Sequence, residues 1–169
     1  MIGNRDTAIA HSERSVHLLR GISGLTALLV AWIHILHPQY GITQLLLLLE
    51  VGTLYDPRPP LFVVSGVLLL VGIVVCYFGL FGIPRRYLYL AGIVLMGGYL
   101  SGYFLWHTVL DHGAFWPYIE GHGHSNVGLT TQIIQHLQND SIAAVSKIAE
   151  GVTLLSLAML WWIETAQQT

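Results

Sequence analysis

The chain has 169 residues, of which 54% are hydrophobic and only 9% charged. Soluble domains carry about 25% charged residues, so this composition excludes an ordinary water-exposed fold and leaves lipid around most of the chain. The formal net charge of -2, with no basic stripe, excludes nucleic acid as a partner.

Residues 1–17 are polar and hold Arg5, Asp6, Glu13 and Arg14. The apolar run that follows ends at His37-Pro38, not at a small-residue cleavage site. It is read as a retained first span, about 18–37. A hydrocarbon core of about 30 Å needs about 20 apolar residues to cross it as a helix. Three further segments meet that length, at about 61–83, 87–110 and 142–163. Residues 42–55 are apolar but short, which predicts an interfacial or re-entrant helix. The stiff link Asp56-Pro57-Arg58-Pro59-Pro60 precedes the second span, and Pro84 closes it. Residues 111–141 read as an outer loop with a surface helix at Thr130–Gln138. Asp140 or Ser141 is placed to cap the fourth span.

The fold class expected is therefore an all-α integral membrane protein. It is a four-helix bundle over 18–163 with an extra short helix at 42–55, flanked by 1–17 and a tail at 164–169. Lys and Arg favour cytoplasmic loops. Arg5, Arg14 and Arg20 precede the first span, and Arg85 and Arg86 lie between the second and third. Four spans put both groups on one side, which predicts cytoplasmic N- and C-termini in the cell membrane. Aromatic residues near the boundaries, from Tyr40 to Trp162, fit interfacial belts. Cys76, the one cysteine, reads as a small apolar side chain.

Small residues suggest how the spans pack. Gly98 and Gly102 form a small-xxx-small pair, and so do Gly97 and Ser101. Gly66, Gly72 and Gly79 run along the second span. The expectation is close packing of spans two and three, with a homodimer through the Gly98/Gly102 face as the alternative.

Ionisable groups inside a membrane are costly and mark function. Seven of nine histidines (His34, His37, His107, His112, His122, His124, His136) fall on the outer side of the four-span topology. Asp111 and Glu120 join them, Glu50 lies in the short helix, and Lys147 and Glu150 occupy the outer half of the fourth span. Three readings compete. The first is an interfacial polar layer, with Lys147 and Glu150 as an i, i+3 ion pair. The second is a zinc, copper or iron site drawn from His34, His37, His107, Asp111 and His112, with Glu50 as a further ligand. The third is haem b held between His107 and His34 or His37, with Tyr99, Tyr103 and Trp106 around the macrocycle. There is no Cys-x-x-Cys-His for covalent haem attachment.

No nucleotide-binding, hydrolase or zincin motif is present, so the chain is not expected to act as an enzyme on its own. The function expected is a membrane module with a metal or haem site near the outer face, serving redox chemistry or metal handling. The rivals are a non-enzymatic accessory subunit of a larger membrane complex and a transporter subunit.

Overall fold

The computed structural model describes residues 3–108, 110 and 128–166. Among these residues every regular element is a helix and no strand occurs. Four helices are long and apolar enough to cross a membrane: α1 (Gly3–Leu36), α3 (Arg58–Phe78), α4 (Arg85–His107) and α6 (Ser141–Ala166). Between them lie two shorter ones, α2 (Ile42–Val51) and α5 (Leu129–Asn139). The 10 residues of α2 rise about 15 Å at 1.5 Å each, half of a hydrocarbon core. It does not cross, so the long helices alternate in direction. One end of the bundle gathers Arg20, Arg85, Arg86 and Glu164, the other His34, His37, Lys147 and Glu150. They are called here the arginine end and the histidine end.

Local chemistry explains the element ends. Pro38 cannot extend α1, and the chain turns at once into α2. Gly52 ends α2 in the left-handed region (φ 72), where the lack of a Cβ removes the steric penalty. Asp56 grips Arg58 through a bidentate pair of 2.9 and 2.7 Å, and its Oδ1 also accepts the Arg58 backbone N–H at 3.0 Å. The one basic residue of this link is thereby neutralised, and its guanidinium stacks over Tyr40 and Trp106. The Asp140 carboxylate accepts the Ala143 N–H at 2.9 Å and caps α6, as the sequence led us to expect. The second span, expected to reach Ile83, ends at Phe78. Gly79 turns left-handed there (φ 64), and a 3-10 turn follows at Leu80–Gly82.

Helix α6 packs along both α1 and α4, and α1 also packs along α3. The backbones of α1 and α4 do not come together, and neither do those of α3 and α6; α1 and α4 meet through side chains. The core at the meeting point is Val30, Ala31, Leu69, Met96 and Ala149. Leu25, Trp32, Val94, Leu155 and Trp162 point outward and are exposed, the pattern of helices bathed in lipid.

The expected close packing of spans two and three does not form. Helices α3 and α4 meet over a short stretch only. A Cβ built at Gly97, Gly98, Gly102 or Gly72 would meet nothing within 4 Å. Close approach happens at other glycines. A Cβ at Gly66 would lie 2.6 Å from Ile35 Cγ1 and 3.0 Å from the Ala31 carbonyl oxygen of α1, and one at Gly92 2.6 Å from Leu157 Cδ1 of α6. The missing side chain at Gly66 is what brings the α1 and α3 backbones together.

Candidate functional site

The α1–α6 interface is a polar seam. At the arginine end Arg20 Nη2 donates to Glu164 Oε1 at 3.0 Å, and Arg20 Nε to Tyr89 Oη at 3.3 Å. At mid-depth Thr153 Oγ1 meets Thr26 Oγ1 at 2.8 Å. At the histidine end His34 Nε2 meets Glu150 Oε1 at 3.3 Å, and both side chains are 0% exposed. Antiparallel packing sets these three levels, so one helix pair carries polar contacts through the depth of the bundle.

The contacts around His34 and Glu150 are dense. Lys147 Nζ donates to both Glu150 oxygens at 2.7 Å, and Ser146 Oγ donates to Oε1 at 2.8 Å. The i, i+3 and i, i+4 spacings of Lys147 and Ser146 put these donors on one helix face with the carboxylate. The His34 ring lies between Phe62 and Tyr99, with centroids at 4.7 and 4.5 Å. Lys147 Nζ sits 5.0 Å from the Tyr103 centroid and 6.0 Å from that of Tyr99. These π faces favour a cation beside them. Tyr99 Oη donates to the Leu61 carbonyl at 2.6 Å. Tyr103 Oη is buried and has no hydrogen-bond partner among the described residues.

Counting donors and acceptors defines what this centre can do. The Ser65 hydroxyl lies 2.8 Å from the Phe62 carbonyl and 3.0 Å from His34 Nδ1. Its proton can turn to the carbonyl, leaving the oxygen to accept from Nδ1–H, or to Nδ1 itself. At the other side of the ring, Nε2 faces a carboxylate oxygen that already accepts from Lys147 and Ser146. A hydrogen bond there needs a proton on Nε2 or on Glu150. Two forms of the ring satisfy both contacts. The neutral ring donates from Nε2 to Glu150 and accepts from Ser65 at Nδ1, and the doubly protonated ring donates from both nitrogens. A cleft of about 420 Å³ between α4, α5 and α6 borders Lys147, lined by Tyr103, Leu137 and Ala144 among others; His34 and Glu150 do not line it. Lys147 keeps 15% of its side chain exposed.

The other sequence-predicted residues are placed differently. His37 caps the end of α1: its Nδ1 accepts the backbone N–H groups of Gln39 and Tyr40, both at 3.2 Å, and its ring stacks on Tyr40. Burial lowers its pKa below the usual 6.5, although the nearby Asp140 carboxylate works the other way. His107 packs on Tyr103 and on His136, with ring centroids at 4.3 and 4.6 Å, and its Nδ1 meets the Tyr103 carbonyl at 2.9 Å. Glu50 is exposed on α2. Asp111 and His112 lie outside the described residues, as do Glu120, His122 and His124.

His34 and His107 stand on helices whose backbones do not come together, and both ring nitrogens of His34 already have protein partners. Among the described residues no group of three or more His, Cys, Asp or Glu is arranged to hold a metal ion. The residues that sequence reasoning missed are Ser65, Ser146 and Phe62. Only Ser146 left a signal, its i, i+4 relation to Glu150.

Comparison with known protein families, curated proteins and solved structures gives no match.

Proposed function

We propose that this chain is a membrane subunit that takes up and releases a proton at the His34–Glu150–Lys147 centre, as the proton-handling element of a transport or redox assembly. The observation that carries this reading is that the fully buried His34 meets Ser65 and the already-paired Glu150 carboxylate through its two ring nitrogens, contacts that its neutral and its doubly protonated forms both satisfy. Tyr99 and Tyr103 from α4 and Lys147 from α6 are the titratable groups that face it. Lys147, which borders a cleft and is 15% exposed, is the member of the centre that opens toward the histidine end. With Arg14, Arg20, Arg85 and Arg86 toward the opposite end, the positive-inside rule makes the histidine end the outer one. Both termini are then cytoplasmic, in the cell membrane.

The test is proton uptake by the purified chain in lipid nanodiscs during an acid titration. The expected curve contains a one-proton step that His34→Asn and Glu150→Gln each abolish. Curves that superimpose for all three proteins would overturn the reading.

A second reading keeps metal handling and rests on a different observation. His107 and His136, from α4 and α5, bring their rings within 4.6 Å at the histidine end. Two imidazoles from separate helices begin a ligand set for zinc or copper. Stoichiometric metal that His136→Ala removes would support it, and metal-free protein after zinc and copper loading would end it. The homodimer through Gly98 and Gly102 is supported by the open space beside both glycines. Gly98→Leu is expected to abolish a cross-linked dimer in membranes, and an unchanged dimer yield would remove this partner.

A further inference from the structure

We propose that the cleft between α3 and α4 at the arginine end holds one anionic phospholipid. The cleft measures about 1110 Å³. That is above the about 300–1,000 Å³ of ordinary small-molecule sites, so it suits a ligand with long apolar chains. Leu68, Val71 and Val75 of α3 and Leu88 and Leu95 of α4 line it. Gly72 widens it, since a Cβ there would meet nothing within 4 Å.

An apolar cleft alone selects no lipid; the charge at its end does. Arg20 and Arg85 line it. Glu164 meets the Arg20 guanidinium at 3.0 Å. Arg85 is exposed and pairs with no carboxylate among the described residues. Its charge at the cleft mouth is thus offset by no carboxylate of the described residues. Helix α4 also begins at Arg85, and the positive end of its dipole favours an anion at the same place.

The chain commits backbone strain to the cleft mouth. Phe81 has φ 62 between Gly79 (φ 64) and Gly82 (φ 61). A bulky L-residue seldom adopts that conformation. Its ring is 83% exposed and lines the cleft, at the depth where aromatic side chains meet lipid headgroups. The headgroup phosphate lies by Arg85, with Phe81 beside it and the acyl chains between α3 and α4. The lipid belongs to the leaflet at the arginine end.

The experiment is native mass spectrometry of the full chain in detergent, titrated with phosphatidylglycerol or phosphatidylcholine of matched acyl chains. One phosphatidylglycerol per chain is expected to be retained in preference to phosphatidylcholine. Arg85→Gln is expected to weaken retention about fivefold, the effect of about one lost charge contact at a membrane surface. Gly72→Leu, which fills the cleft, is expected to abolish it. Gly97→Leu makes the same change outside the cleft and is expected to retain the lipid. Circular dichroism checks that each variant is helical. Equal retention of the two lipids, retention that ignores both Arg85→Gln and Gly72→Leu, or a lipid-free dimer closing the cleft would overturn the proposal. So would a neutral isoprenoid or a fatty acid retained in place of phosphatidylglycerol.

Discussion

Replacing Glu150 with glutamine removes the charge on which the polar centre converges. Glu150 is 0% exposed and receives Lys147, Ser146 and His34. The amide keeps one acceptor oxygen but cannot balance the Lys147 ammonium, of which 15% is exposed. Removing one member of a buried ion pair costs about 3–5 kcal/mol, because the other charge stays buried and unpaired. The loss here is about 3 kcal/mol, since glutamine still accepts one bond from Lys147. Lys147→Met leaves the carboxylate unpaired and costs about 3–5 kcal/mol. The double variant buries no uncompensated charge, so its cost falls well below the sum of the single variants. Reversible unfolding in mixed micelles, followed by helical circular dichroism, reads all three. A double variant whose loss equals that sum would refute the claim that the two charges act as a buried pair.

Two more outcomes test the packing and the α1 cap. Gly66→Ala places a Cβ 3.0 Å from the Ala31 carbonyl oxygen and is expected to destabilise the bundle by about 1–3 kcal/mol. Gly98→Ala, beside open space, should be neutral or stabilising in the same unfolding assay, and equal losses at the two sites would contradict the packing described. His37, held neutral by burial, binds a proton more readily when its surroundings open. Stability from this cap is therefore present above about pH 6.5 and is lost as pH falls below it toward the lowered pKa. Amide exchange at Gln39 and Tyr40, corrected for its intrinsic pH dependence, should speed up on acidification in the wild type and lose this dependence in His37→Asn. Equal pH dependence in both would contradict the cap.

The spans were legible because hydropathy over about 20 residues is a strong local signal, and the short α2 was legible for the same reason. The Lys147–Glu150 pair was legible from i, i+3 spacing. The partner of Glu150 was not. His34 lies 116 residues away, and topology gives its depth in the membrane but not its neighbour around the bundle. Grouping His34 with His107 by depth ignored that their helices occupy opposite corners, with α6 between them. The glycines misled for a related reason. Gly98 and Gly102 carry the recognisable spacing but face open space, whereas the isolated Gly66 and Gly92 make the close approaches. A spacing motif shows that a face is flat and leaves open which neighbour meets it.

The central claim is that His34 and Glu150 share an exchangeable proton. Nitrogen-15 spectra of the His34 ring, recorded against pH in lipid, test it most directly. One protonated ring nitrogen is predicted at high pH and two at low pH, in a step that Glu150→Gln displaces. Ring nitrogen signals that are the same in wild type and Glu150→Gln at every pH would contradict it.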